Sequence, residues 1–435
     1  MAAHPRTDRE PTESLPLRPI RVIEVTDAYG AYAGRLLADL GADVVRVEPP
    51  GVDPVRRREP LVDTPQGPAS AFGWFVNLNK RSVALDLATP TGRDAFLALL
   101  ADADVLLESW RPGEADRLGL DEATIRAVAP ELIRIAITPY GVEGPWSDRA
   151  ATDLTTLAAG GLLSLGGYPD AEPVAVHGGQ GLLAASIFGA VAALLGLVGR
   201  ERDGVPRRYD VSAQEAIAAA LEDAIPQYDL TGRVRRRAGD QPREAGTGIY
   251  ACADGYVSMV AGRLGTARAW KALTEWLVEE RVEGAEDLIE DRWQSFPYRQ
   301  RQEAIDRFRE IFERFTRLRT KEALYLEAQR RSIALAPVNE VADLFVNPQL
   351  VARGFFREVV PHELGRPVVV PGRPYRLGDE ADVVLAPAPV LGAASAGAFP
   401  GAGNDPQPAA AVAPGRHDGP SVAAAFHDPA PGGAG

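Results

Sequence analysis

From about residue 20 the chain alternates short β-branched runs with segments of helical period. "VIEVT", "DVVRVE", "SVALDL", "DVLLES" and "LIRIAIT" have the length and composition of strands. Between them, "AYAGRLLADLGA", "PTGRDAFLALLADA" and "DEATIRAVAP" place apolar residues three and four apart, as an amphipathic helix does. Pro90 falls in the first turn of its helix, where a missing N–H costs little. Strands separated by helices of this length predict an α/β fold, with a parallel sheet flanked by helices, over residues 20–215.

The texture changes over 216–335. The Arg- and Gly-rich stretch "TGRVRRRAGDQPREAGTG" leads into "IYACADGYVSMVA", a hairpin pattern turning at Ala253-Asp254-Gly255. Three helical segments follow, which predicts a smaller mixed domain. Residues 336–392 carry another apolar segment, "RPVVVPG", expected to rejoin the large domain. Residues 1–19 and 393–435 have little to bury and are expected to be disordered. The apolar run from Gly181 to Gly199 is rich in Ala and Gly and ends at "RERDG", so it reads as a helix packed on protein rather than a membrane span.

Length and charge narrow the classes. A chain of 435 residues exceeds one small core, so two domains are expected. The net charge of −13 argues against a general nucleic-acid binder. With Cys252 as its one cysteine, the chain has no internal disulfide framework and no Cys-rich zinc site. That usage, with no signal peptide pattern at the N-terminus, predicts a cytoplasmic protein. His417 and His427 stand alone, and no metal site is expected.

The candidate chemistry begins with the βαβ outline from Val22 to Glu48. A dinucleotide fingerprint needs G-x-G-x-x-G at the turn. Here Gly30 alone lies at the turn, with Gly34 one turn into the helix and Gly41 at its end. Glu48 occupies the place of a ribose-binding acid, but the fingerprint is absent. Basic and aromatic residues cluster near strand ends: Lys80 and Arg81, then Ser109, Trp110, Arg111 and Arg117. This cluster fits a base and phosphates, and it fits equally a solvated turn with Trp110 covering the sheet. There is no G-x-S-x-G elbow and no P-loop. His177 is isolated in "PVAVHGGQG", and Asp153 sits where a helix starts, as a first-turn acid would.

Eight segments together give the chain its likeness. They are "VIEVTDAYGAYAGRLLADLGADVVRVEPPG", "NLNKRSVALDL", "ESWRPGEADRLGL", "PELIRIAITPYGVEGPW", "DLTTLAAGG", "RRYDVSAQEA", "GIYACADGYVSM" and "APVNEVADLFVNPQLVARGFF". In this order they resemble the class III CoA-transferase (CaiB/BaiF) family, which includes formyl-CoA transferase, carnitine CoA-transferase and α-methylacyl-CoA racemase. The resemblance implies a Rossmann-like large domain built from both chain ends, with a smaller domain inserted and two chains interlocked as a dimer. It implies that coenzyme A or an acyl-CoA binds as substrate, with no permanently bound cofactor, and that a carboxylic acid is the other substrate. The family's CoA-contact positions match Leu85, Asp86, Leu87, Ala88, Ser109, Trp110, Arg111 and Arg117.

The resemblance also marks a departure. Transferases of this family use an aspartate nucleophile, which attacks the thioester and splits one acyl exchange into easier steps. Counted from either side, its position falls on Leu182; aligned on the glycines, it falls on His177. The histidine of the racemase branch would match Thr152. The ending "APVLGAAS" also differs from the family's. Three readings follow. The chain is a transferase using another acid or direct acyl exchange. Or it is a CoA-binding subunit lacking the nucleophile, which a homologous chain supplies. Or it is a racemase- or isomerase-like acyl-CoA enzyme with a rebuilt site.

Overall fold

In a computed structural model, the structure describes residues 15–51, 53–239, 242, 244–261, 267–377 and 385–394. The strands β1 (Arg21–Val25), β2 (Asp43–Glu48), β3 (Arg81–Ala84), β4 (Val105–Glu108), β5 (Ile133–Thr138) and β6 (Arg208–Ser212) form one sheet in the order β3-β2-β1-β4-β5-β6. Every pairing in it is parallel, with Val22 beside Val44 on one side and Val105 on the other. The order reverses at β1. The chain winds outward through β2 and β3, then crosses to β4 on the other side of β1. That leaves a crevice between the carboxyl ends of β1 and β4, where open α/β sheets hold ligands.

Alternation along β1 sends Val22 to one face of the sheet and Ile23 to the other. On the Ile23 face lie α2 (Pro90–Leu100) and α3 (Glu122–Val128), contributing Phe96, Leu99 and Ile125. The Thr89 hydroxyl caps α2 at the Gly92 N–H (3.1 Å). On the Val22 face lie α1 (Ala31–Asp39) and the helix α5 (Gln180–Asp203), preceded by α4 (Asp153–Ala159). The 24-residue α5 ends in four charged residues but contains an apolar stretch long enough to cross a membrane, half of it buried. One face of the helix packs on the sheet, and its glycines allow the close approach. A Cβ on Gly189 would lie 2.3 Å from Ile137 Cδ1, and one on Gly196 would lie 2.6 Å from Ile133 Cγ2. Ile187, Phe188, Val191, Leu195 and Val198 on the outer side are exposed.

The glycines of the opening unit have a packing reason. A Cβ on Gly34 would fall 1.8 Å from Glu24 Oε2, and one on Gly30 would fall 2.6 Å from Thr26 Cγ2. Glu24 is fully buried, between Arg46 and Lys80 Nζ, the latter at 2.7 Å. Arg46 also reaches Asp53 (2.7 Å), while Arg56 holds Glu48 (2.6 Å). The acid that would suit a ribose is therefore already paired inside the protein.

A second, three-stranded antiparallel sheet is formed by β7 (Thr247–Cys252), β8 (Gly255–Val260) and β9 (Ala334–Val338). Cys252 pairs with Gly255, so the hairpin turns at Ala253-Asp254. The helices α6 (Ala267–Glu279), α7 (Gln302–Thr316) and α8 (Lys321–Arg330) accompany it. They bury Trp270, Trp276, Phe308, Phe312 and Phe315 around Tyr250.

Two expectations need correction. Residues 15–19, read as disordered, pack on α1: Leu17 is buried and its N–H donates to Leu40 O (3.0 Å). The segment at 368–371 does not join the six-stranded sheet. β11 (Val368–Pro371) pairs antiparallel with β10 (Phe356–Val359), and Arg35 anchors it through Pro371 O (2.9 Å). Residues 385–394 are the part that meets the sheet. Gly392 N–H donates to Ser82 Oγ (2.9 Å), Ala394 N–H to Ser82 O (2.8 Å), and Arg56 to Pro389 O (2.8 Å). Residues 1–14 and 395–435, with His417 and His427, lie outside the described residues.

Candidate active site

The predicted CoA-contact residues follow two strand ends. Leu85 to Ala88 continue from β3, with Leu85 N–H donating to Glu48 O (2.9 Å). Ser109, Trp110 and Arg111 continue from β4. β2 and β1 stand between those strands, so the two groups lie at separate places along the carboxyl edge of the sheet. Leu85, Leu87 and Trp110 share the core on the Ile23 face. Trp110 sits edge-on to Phe96, with ring centroids 5.9 Å apart. It thus covers the sheet with one side, as the simpler reading of the turn expects.

Its other side lines a cavity of about 250 Å³, together with Arg111, Glu108, Arg134, Arg208 and Glu143. Ser109, Arg117 and Leu85 to Ala88 do not line it. The cavity is less basic than the sequence suggests. Arg134 is committed to Glu108 (2.9 Å) and to Glu122, and Arg208 stands 3.7 Å from Glu108. The guanidinium groups of Arg111 and Arg117 are exposed, with no hydrogen bond or ion pair among the described residues. Gly113, at φ 72°, turns the chain between them. Arg111 beside the Trp110 ring in this cavity, with Arg117 exposed one turn further on, suits phosphates and a base.

On the Val22 face, α4 and α5 bring two further predicted positions together. Leu182 N–H donates to Asp153 Oδ1 at 3.0 Å. Asp153 thus stands in the first turn of α4 and also satisfies one of the open amides that begin α5. Gly181 makes this possible, since a Cβ there would lie 2.9 Å from Asp153 Oδ1 and 3.1 Å from Thr156 Oγ1. The Leu182 side chain is buried in the core on the Val22 face. His177 lies in the exposed loop before α5, where its carbonyl accepts from Gln180 Nε2 (3.1 Å). Thr152 forms the capping box of α4 with Thr155. Among the described residues, no group of His, Cys, Asp and Glu is arranged to hold a metal ion.

Sequence reasoning passed over one residue of this crevice. Tyr29, in the turn after β1, is buried, with its N–H on Asp27 Oδ1 (2.8 Å) and its carbonyl accepting from Ser186 Oγ (2.7 Å). The signal was a bulky aromatic at a turn where a phosphate-binding loop would need glycine.

Comparison with known proteins matches residues 17–395 to CoA-transferase family III. The chain is 36% identical over 361 residues to subunit BbsE of succinyl-CoA:(R)-benzylsuccinate CoA-transferase from Thauera aromatica, covering 82% of this chain and 87% of that one. It is 32% identical over 399 residues to the alpha subunit of succinyl-CoA–L-malate CoA-transferase from Chloroflexus aurantiacus, covering 88% of each. The fold matches the crystal structure of a CaiB/BaiF family protein from Brucella suis with a TM-score of 0.76 and 28% identity, over 88% of this chain and 97% of that one. The chain therefore belongs to CoA-transferase family III, enzymes that move CoA between an acyl-CoA and a carboxylic acid.

Proposed function

We propose that this chain is one subunit of a two-chain CoA-transferase that takes CoA from succinyl-CoA to a second carboxylic acid, and that a homologous chain supplies the carboxylate nucleophile. The observation that carries this reading is Leu182. At the start of α5 the chain has a buried aliphatic side chain, and the amide beside it is taken by Asp153. Aliphatic carbon cannot form an acyl anhydride. The relatives support the rest. BbsE is named as a subunit, the malate enzyme has an alpha subunit, and both names begin with succinyl-CoA. The exposed stripe from Ile187 to Val198 on α5 offers apolar surface for such a partner.

In this reading CoA binds as substrate, not as a resident cofactor. Arg111 and Arg117 hold its phosphates and Trp110 its adenine, with Ser109 and Leu85 to Ala88 along the same sheet edge. We place the protein in the cytoplasm, with Cys252 as a free thiol.

A second reading rests on the same hydrogen bond. Asp153 brings a carboxylate to the α5 amide at Leu182, so a chain active by itself would use Asp153. Thr152 spends its side chain on the α4 cap, and nothing at that position favours a racemase.

One experiment separates them. The chain is purified alone and with its homologous partner, incubated with succinyl-CoA and trapped with hydroxylamine. Peptide mass spectrometry should find the modified carboxylate on the partner. Modification of Asp153 in the lone chain would replace the first reading with the second.

A further inference from the structure

The hydroxyl of Tyr29 is one of several buried polar atoms without a hydrogen-bond partner among the described residues, Ser109 and Thr138 among them, and it stands beside the Asp153–Leu182 bond. The residue is 5% exposed, and its hydroxyl makes no hydrogen bond among the described residues. Thr156 is the neighbouring hydroxyl, and its own proton goes to the carbonyls of Asp153 (2.9 Å) and Thr152 (3.2 Å). The backbone of Tyr29 is tied at both ends, to Asp27 and to Ser186 of α5, so the ring cannot easily turn its hydroxyl to water. A buried polar group without a partner destabilises a fold, and phenylalanine would fill the same volume without that cost. Such groups persist where a ligand satisfies them. The position is the right one, at the carboxyl end of β1, beside the crevice where the strand order reverses. Burial pushes the phenol up to about 12, against a hydrogen-bonding pull from the Thr156 hydroxyl that stays longer than a formed bond, and the nearby Asp27 and Asp153 carboxylates add to the rise, so it remains a donor at neutral pH.

We propose that Tyr29 is a catalytic residue of the acyl transfer, its hydroxyl donating a hydrogen bond to the thioester carbonyl oxygen of the bound acyl-CoA. This rests on the CoA-transferase reading above. When a carboxylate oxygen attacks the thioester carbon, a C–O bond forms and the carbonyl π pair moves onto its oxygen. The negative charge thereby passes from the carboxylate to that oxygen. Collapse restores the C=O bond, breaks the C–S bond and releases CoA as thiolate, leaving an acyl anhydride. Tyr29 keeps its proton throughout and is aimed at the atom on which charge builds.

The test is Tyr29→Phe in the assembled two-chain enzyme. Exchange of isotope-labelled succinate into succinyl-CoA is followed, which requires no knowledge of the second acid. The expected result is a fall in kcat of about a hundredfold. The KM for succinyl-CoA and its affinity by calorimetry should stay within about twofold, and Tm should be equal to or above wild type. Unchanged kcat, or a lower kcat accompanied by a lower Tm, overturns the assignment to Tyr29 and leaves the transferase reading standing. If the wild-type pair exchanges no succinate, the reading itself fails, and the role of Tyr29 with it.

Discussion

Asp153 Oδ1 accepts the N–H of Leu182 at 3.0 Å, across 29 residues of sequence, and this bond joins the starts of α4 and α5. A carboxylate shared between two helix starts is a strong structural tie. It also holds an acid beside the family's nucleophile position. Under the two-chain reading, Asp153→Asn keeps an acceptor for the amide and should cost under about 1 kcal/mol, while Asp153→Ala should cost about 1–2 kcal/mol. Urea unfolding measures both. Succinate exchange by the assembled enzyme should stay within about threefold for Asp153→Asn, and its abolition in a folded variant would make Asp153 the nucleophile.

Arg111 and Arg117 carry guanidinium groups that make no hydrogen bond or ion pair among the described residues, although the Arg111 charge is felt by the buried Asp27 carboxyl. Replacing either with Ala should weaken CoA binding by about 1–3 kcal/mol if each donates charged hydrogen bonds to phosphate. The protein's own stability should change little, because neither side chain is part of an ion pair. Calorimetry with CoA and with dephospho-CoA would show which arginine faces the 3′-phosphate. Equal affinity for the two ligands would remove the 3′-phosphate from this edge of the sheet, and CoA affinity unchanged in both variants would remove the diphosphate as well.

Much of the fold follows from local pattern, and the site from less of it. Continuous β-branched runs such as "LIRIAIT" name their own strands because a sheet covered on both faces demands apolar side chains on each. Trp110 and Arg111 were visible because an aromatic and a cation side by side after a strand are uncommon. The βαβ outline misleads toward a dinucleotide because Gly30 and Gly34 serve Thr26 and Glu24, contacts that no local pattern displays. Arg134 likewise takes up Glu108 and Glu122 from 26 and 12 residues away, which makes the Trp110 cavity less basic than its sequence neighbourhood. Tyr29 and Asp153 acquire their meaning only when α5 is laid against them.

Gly34 tests the packing account directly. Its substitution by Ala would set a methyl 1.8 Å from Glu24 Oε2, and Glu24 cannot withdraw while Arg46 and Lys80 hold it in a dry interior. Overpacking and a displaced buried charge then act together, and Gly34→Ala should cost about 3 kcal/mol or more. Thermal unfolding would report it. A loss under about 1 kcal/mol, or the gain of about 1 kcal/mol that Gly→Ala brings in an unconstrained helix, would show that the buried pair can rearrange.

Glu48 gives the fold a defined response to acid. Burial alone would raise its carboxyl, but the hydrogen bonds it accepts from Arg56 and the charges of Arg46 and Arg56 outweigh that and hold it at about 2. A carboxyl held below its unfolded value of 4.5 stabilises the fold above that pH, and the contribution is lost as pH falls toward about 2. Glu48→Gln removes the charge and leaves Arg56 without its carboxylate, so at neutral pH it should cost about 3 kcal/mol. As pH falls from about 4.5 toward 2, wild type loses what the variant never had, and the difference in unfolding free energy should narrow. Urea unfolding of both proteins across this range measures it. A difference that stays constant with pH would mean that Glu48 acts through its shape and hydrogen bonds alone.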